Sequence, residues 1–314
     1  MISHLPLISI AMATYNGEKY LHAQLDSLMA QSYQPLEIVI TDDCSSDDTV
    51  KIIQQYQAKH PNIFLFTNKE NLGVTKTFER SLHHCKGSFI AFADQDDIWM
   101  PEKISILHGK IGDALLAYGD SALIKECGSL LNKNLSCLRK MYSGSNTKGF
   151  VFNNVVLGHA MLFKASLLKD VLPIPNLVPH DIWIAYKASS LRDIVFCDNI
   201  LTYYRQHEQS NTTTMPQKAT ARSKSTRYVD FENKLYWIQI MGKNANQKEL
   251  EFYKLLALLY AKKQFGRFVW PLLWFLLKHR SVLFVFSKKT FASQIVEIFK
   301  QCRGEKSDLR LALA

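Results

Sequence analysis

Three carboxylates stand within four residues at Asp94-Gln95-Asp96-Asp97. Directly before them runs Phe89-Ile90-Ala91-Phe92-Ala93, a short, continuous apolar stretch that reads as a parallel strand buried on both faces. Groups just past such a strand sit at its carboxyl end, the edge where open α/β sheets bind ligands. Carboxylates this close repel one another unless they share something positive. A hard divalent cation bridging diphosphate oxygens meets that need, because magnesium is usually held by one or two carboxylates plus substrate phosphates. The plain alternative is a solvated acidic loop ahead of a helix whose first turn takes Pro101-Glu102.

The elements that position these carboxylates follow a regular alternation. Residues 7–13 form a buried first strand, running into the turn Thr14-Tyr15-Asn16-Gly17 and a helix with Leu21, Leu25, Leu28 and Met29 on one face. A second strand, 37–41, ends in Asp42-Asp43. The helix after it turns Val50, Ile53 and Tyr56 inward, with Ser46 or Asp47 as its cap. A third strand, 63–66, leaves through Asn71-Leu72-Gly73 to a helix near 74–84. Four such alternations in under 100 residues predict an α/β fold, a mostly parallel sheet covered by helices on both faces.

Beyond residue 100 the rhythm changes. Residues 115–118 read as a strand, 127–149 as a loop, and 193–196 and 201–204 as two short strands. Three prolines, Pro173, Pro175 and Pro179, precede His180-Asp181-Ile182-Trp183, where a helix starts. The expected organisation is a catalytic body over 1–210, a basic linker or mobile loop over 211–229, and a helical region over 230–314.

Charge separates these parts. Residues 201–314 hold 20 Lys/Arg against 8 Asp/Glu, whereas residues 1–200 hold 18 against 20. A near-neutral body with a basic tail points to a polyanionic partner met through the tail. Six cysteines without a C-x-x-C pair fit free thiols in a reducing cytoplasm rather than a zinc site. Neither a secretory signal nor an apolar run long enough to span a bilayer is expected. A dinucleotide-binding oxidoreductase shares the alternation, but no G-x-G-x-x-G follows the first strand.

Six motifs in order now bear on the chemistry. They are Ala13-Thr14-Tyr15-Asn16-Gly17, Thr41-Asp42-Asp43-Cys44-Ser45-Ser46-Asp47, Asn71-Leu72-Gly73, Asp94-Gln95-Asp96-Asp97-Ile98-Trp99 with Pro101-Glu102-Lys103, His180-Asp181-Ile182-Trp183 and Tyr204-Arg205-Gln206-His207. In this order and spacing the first 210 residues resemble glycosyltransferase family 2, the inverting enzymes of the GT-A fold, and within it the rhamnosyltransferase-like group. The resemblance implies a Rossmann-like GT-A domain carrying a C-terminal helical extension. The implied activity is metal-dependent transfer of a sugar, rhamnose among the candidates, from a nucleotide diphosphate sugar of the UDP or dTDP type. Its acceptor would be a hydroxyl of a lipid-linked or surface glycan, in polysaccharide, O-antigen or capsule assembly. The alternative is a non-catalytic nucleotide-sugar-binding scaffold, against which the retained Asp43, Asp94, Asp96 and Asp181 count.

The residues fit these roles. Tyr15 offers a planar face for a base and Asp43 an acceptor for its N–H. Thr14 and Asn16 flank that seat. The resemblance makes Asp94 and Asp96 the D-x-D pair meeting ribose and a Mg2+ or Mn2+ ion, with Asp97 in support and His207 near the metal. Arg205 suits diphosphate, and Lys76 is a weaker candidate for the same anion. Gly158, with His159, matches the segment lining the donor-sugar pocket, although His159 reads equally well as a core histidine. Asp181 is expected to act as the base that deprotonates the acceptor hydroxyl. Its other reading is the cap of a helix over 182–190.

The C-terminal third is expected to hold the enzyme on an anionic membrane, giving a cytoplasmic protein peripheral to the inner face of the plasma membrane. Residues 249–261 read as an apolar helix, and 268–277 are apolar with Trp270 and Trp274. Lys278-His279-Arg280 then makes a span unfavourable and an interfacial helix favourable. Lys218, Arg222, Lys224 and Arg227 would add attraction. The alternative is a bundle packed on the catalytic domain or forming a homodimer. Nucleic acid is not an expected partner.

Overall fold

The computed structural model describes residues 5–207 and 224–304. Lys218 and Arg222 lie outside the described residues, as do the side chains of Lys224 and Arg227. The chain divides into two compact units, one of residues 1–145 and 154–214, the other of residues 146–153 and 215–314.

The first unit opens with β1 (Ile8–Thr14), α1 (Glu18–Met29), β2 (Leu36–Asp42), α2 (Thr49–Gln57), β3 (Ile63–Thr67), α3 (Val74–His84) and β4 (Phe89–Ala93). β1 pairs in parallel with β2 and β4, and β2 with β3. Every residue of β2 is buried, and so is nearly all of β1, which is why these strands are apolar runs rather than alternating ones. Because the four strands are parallel, their carboxyl ends share one edge. Leu21, Leu25 and Leu28 bury the inner face of α1, as their spacing predicts. On α2, Ile53 is buried and Tyr56 packs half-buried against the core, as expected, but Thr49 and Ile52 take the fully buried positions in place of Val50. Thr49 is drawn in because its hydroxyl binds both Asp47 and the Gly17 N–H.

The unit continues with β5 (Ile98–Trp99), α4 (Lys103–Ile111), β6 (Leu116–Lys125), β7 (Leu130–Asn134), α5 (Leu135–Leu138), β8 (Met161–Lys164), α6 (Leu168–Val171), α7 (His180–Leu191) and β9 (Ile194–Gln206). The sheet order is β3-β2-β1-β4-β8-β6-β9-β5, with β7 beside β6. β8 is antiparallel to both β4 and β6, and β9 is parallel to β6. The end of β9 therefore arrives on the same edge as the end of β4. β5 pairs antiparallel with β9, Ile98 against Tyr203, which folds the acidic stretch over that end.

Three expectations change here. Residues 193–196 and 201–204 belong to one strand, β9, in which Asp198 and Asn199 are accommodated by a register shift against Gly119–Asp120. β6 runs through Gly119-Asp120-Ser121 instead of stopping at Tyr118, because those buried polar groups find partners: Asp120 accepts from the Ser136 N–H, and Ser121 meets His159. Residues 127–149 contain β7 and α5 rather than a bare loop.

The second unit contains α8 (Lys224–Lys243), α9 (Gln247–Ala261), α10 (Trp270–Lys278), α11 (Arg280–Leu283) and α12 (Phe291–Gln301). The turn at Thr147–Val151 packs among them: the Tyr253 hydroxyl donates to Thr147 Oγ1 at 3.0 Å, and Trp237 Nε1 to the Phe150 carbonyl at 2.9 Å. Among the described residues, no helix is long and apolar enough to cross a membrane.

Candidate active site

The loops at the carboxyl edge hold one another. At the end of β1, Thr14 is buried and donates to Asp42 Oδ1 at 2.9 Å. Tyr15 projects its ring, 48% exposed. Its N–H donates to Gln95 Oε1 at 2.8 Å, and Gln95 Nε2 donates back to the Tyr15 carbonyl at 3.0 Å. A Cβ on Gly17 would stand 2.4 Å from Gln95 Oε1, so this amide needs glycine there. Asn16 adopts φ 46° and accepts the Ser46 N–H on Oδ1 at 2.9 Å, locking the first loop to the second.

Asp43 is buried and braces the third loop. Oδ1 accepts from Asn68 Nδ2 (2.6 Å) and the Leu72 N–H (2.8 Å), and Oδ2 from the Gly73 N–H (2.9 Å). Gly73 has φ 81°, a left-handed value that glycine adopts without cost. Lys76, on α3, is paired with Glu79 at 3.2 Å and donates to the Ile174 carbonyl.

The acidic stretch splits into two groups. Asp96 Oδ2 lies 2.6 Å from His207 Nε2, and the His207 ring lies 5.0 Å from that of Tyr20. Asp94 and Asp97 converge instead on His159, whose Nδ1 is 3.7 Å from Asp94 Oδ2 and 3.5 Å from Asp97 Oδ2. Asp97 is fully buried. Its Oδ1 accepts the Arg205 N–H at 3.0 Å, whereas Oδ2 has no hydrogen-bond partner among the described residues. Burial, then the charges of Asp96 and Asp94, pushes its carboxyl well above the usual range. Burial acts on Asp94 in the same direction, but His159 foremost, with His180 and Lys103, outweighs it and holds Asp94 below the ordinary value.

Arg205 lies beneath this loop, 4% exposed. Nε donates to the Asp96 carbonyl and Nη1 to the Glu126 carbonyl, both at 2.7 Å, with the guanidinium 4.9 Å from the Tyr20 ring centre. Lys103 is the second buried cation. Nζ donates to the His159 carbonyl (2.5 Å) and Thr202 Oγ1 (3.0 Å), and sits 3.4 Å from the Trp99 ring centre. Burial pulls its pKa well below that of an ordinary lysine, against the charges of Asp97 and Asp94.

A turn of 3-10 helix, Gly158–Ala160, joins this cluster to α7. A Cβ on Gly158 would crowd the His180 ring, 2.9 Å from Nε2, and stand in ordinary contact with Asp181 Cβ at 3.8 Å, so the turn lies directly beside the start of α7. Pro179 caps α7, which puts Asp181 inside the first turn rather than at the cap. Asp181 Oδ2 accepts from Asn154 Nδ2 at 2.8 Å and Oδ1 from the Ile182 N–H at 2.7 Å. Burial raises its pKa, with opposing help from His180 and the Ile182 N–H.

The donors fit a hard divalent cation. Asp94, Asp97 and His159 bring three ligand atoms within 4.8 Å of one another, one of them the partnerless Asp97 oxygen, and Asp96 with His207 offers a second carboxylate–imidazole pair. The sequence pattern had singled out Asp94, Asp96 and His207. It missed Asn154 and the burial of Lys103. A single asparagine in a largely apolar stretch carries no catalytic signal, and a lysine in a helix first turn ordinarily reads as solvated.

A family model described as glycosyl transferase family 2 matches residues 9–172. The Bacillus subtilis glycosyltransferase TuaG is 34% identical over 99 residues, which are 32% of this chain and 39% of that relative's length. S. aureus TarS 1-349, solved in complex with UDP-GlcNAc, superposes with a TM-score of 0.60 at 19% identity, covering 94% of this chain and 79% of that one. A mannosyltransferase of Pyrobaculum calidifontis, PcManGT, solved with GDP-Man and Mn2+, gives 0.56 at 15% identity, covering 95% and 86%. The two solved structures share the fold, and the family match spans just over half of the chain: this protein belongs to glycosyl transferase family 2.

Proposed function

We propose that the chain transfers a sugar, with inversion, from a nucleotide diphosphate sugar to a glycan hydroxyl. The observation that carries this reading is the Gly158–His159 turn: His159 stands beside Asp94 and Asp97, and Gly158 beside Asp181. A diphosphate edge and a candidate base are thereby joined by two adjacent residues.

In this reading Tyr15 stacks on the base, and Asp43 meets its N–H while keeping the Leu72–Gly73 loop in place. Thr14 and Asn16 hold the seat through Asp42 and Ser46. Asp94 turns toward ribose and diphosphate. Asp96 and His207 would hold Mg2+ or Mn2+; Asp94, which faces His159 and Asp97 in this structure, would have to turn to join them, and the bound ion would supply positive charge to the departing diphosphate. Arg205 and Lys103 keep the carboxylates gathered in one loop, and the Arg205 charge favours the anion. Lys76 remains a reserve contact for it. Asp181 takes the proton of the acceptor hydroxyl as that oxygen attacks the anomeric carbon opposite the leaving group. Gly158 and His159 line the sugar.

A UDP or dTDP donor, a lipid-linked or surface-glycan acceptor, and action at the cytoplasmic face of a bacterial plasma membrane complete the proposal. The ligands named for TarS and PcManGT support a nucleotide-sugar donor. The test is a thermal-shift panel of nucleotide sugars with Mn2+. A bound donor at 100 times its dissociation constant adds about 2.7 kcal/mol, and no shift with any nucleotide sugar would overturn the reading.

A further inference from the structure

Of the five tryptophans, Trp99, Trp183 and Trp237 are buried, whereas Trp270 and Trp274 are 61% and 70% exposed. Both belong to α10, whose inner face buries Leu272, Leu273, Phe275 and Leu276. Trp270, Trp274 and Lys278 recur at four-residue intervals and are all exposed, so they form one stripe along its outer face. The stripe is not isolated. Phe268 pairs with Arg303 as a β-bridge, and the Gly304 N–H donates to the Arg267 carbonyl at 2.9 Å. Those pairings bring the end of α12 beside the start of α10. The Phe268 ring consequently stands 4.7 Å from Trp270 and 6.0 Å from Phe299, itself exposed. Phe265, 76% exposed, lies two residues before Arg267.

Charge identifies what this face meets. Residues 262–304 contain nine Lys/Arg and a single acid, Glu297, and Glu297 is paired with Lys289. Arg267, Lys278 and Arg303 are exposed among or beside the aromatic rings. Rings of amphipathic tryptophan bordered by cations match the headgroup layer of an anionic bilayer, and a protein partner of ordinary composition does not require such an imbalance. A nine-residue helix is about 14 Å long against a hydrocarbon core of about 30 Å, so α10 is far too short to cross.

We infer that the outer face of α10, with Phe265, Phe299 and the flanking cations, is a docking surface for anionic lipid, on which α10 lies in the plane of the interface. This refines the membrane expectation drawn from the sequence. The surface consists of described residues of α10, of α12 and of the short segments beside them, and it requires no residue of the 211–229 stretch.

The test is co-flotation of the full chain with phosphatidylcholine vesicles, with and without about 30% phosphatidylglycerol, together with tryptophan quenching by brominated acyl chains. The expected result is binding to the anionic vesicles only, with quenching, since the other three tryptophans are shielded. Trp270→Ala with Trp274→Ala is expected to lower the partition coefficient about tenfold or more, and Arg267→Ser with Arg303→Ser to lower it and flatten its salt dependence. Equal melting temperatures and unchanged nucleotide-sugar shifts would show that these variants fold, and would separate failure here from failure of the donor reading. Equal flotation of the double tryptophan variant, binding indifferent to phosphatidylglycerol, or a dimer that the variant converts to monomer without vesicle binding would each overturn the inference.

Discussion

Gln95 forms two hydrogen bonds with the backbone of Tyr15, its Oε1 accepting the N–H and its Nε2 donating to the carbonyl, as a neighbouring strand would. The middle residue between two candidate ligands thus sets the height of the exposed Tyr15 ring above the sheet edge. Gln95→Ala removes both bonds. Each neutral bond contributes about 1 kcal/mol to stability, so a stability loss of about 1–2 kcal/mol is expected, and the unanchored ring is expected to lower nucleotide affinity about tenfold. Gly17→Ala should reproduce the effect, because its Cβ displaces the same amide. Calorimetry with a nucleoside diphosphate checks both, and unchanged affinity in either variant would detach Tyr15 from the base.

The Asp181–Asn154 pair predicts a pH dependence. Burial raises the Asp181 pKa, and a base acts only when ionised, so kcat/KM should rise with pH through a value above the ordinary aspartate range. Asn154→Ala removes a donor that favours the carboxylate, which must move this acidic limb to still higher pH while leaving donor binding intact. Asp181→Asn should abolish the limb and lower turnover by roughly 10²–10⁴, about 3–5 kcal/mol of barrier. A limb unmoved by Asn154→Ala would assign the titration to another group.

Lys103 predicts a stability effect. It is fully buried against the Trp99 ring, the His159 carbonyl and Thr202, and it offsets the charge of Asp94. Lys103→Met leaves that charge uncompensated, so a loss of about 3 kcal/mol is expected in denaturant unfolding. A loss below about 1 kcal/mol would mean that the carboxylates are held by Arg205 and His159 alone.

The sequence made the four parallel strands and their carboxyl edge legible because each strand is largely apolar and three of them run into Asp or Asn, at Asp42, Asn68 and Asp94. It also pointed to Asp181 and to the Gly158–His159 segment. What it hid depends on contacts remote along the chain. The continuity of β9 past Asp198-Asn199 depends on a register shift against β6. The inward turn of Thr49 depends on Asp47 and Gly17. The division of the acidic stretch, Asp96 to His207 and Asp94 with Asp97 to His159, follows from how β5 folds back on β9. No spacing rule contains these distances.

The central claim is that this edge takes a nucleoside diphosphate through a cation held at Asp96. It is tested most directly by titrating UDP, dTDP and GDP calorimetrically into the protein and into Asp96→Ala, each with Mn2+ and with a chelator. The expected result is one site that Mn2+ tightens about tenfold or more in the native protein, with identical, weak affinity in both conditions for the variant. Binding of none of the three, or equal Mn2+ dependence in the native protein and Asp96→Ala, would contradict the account.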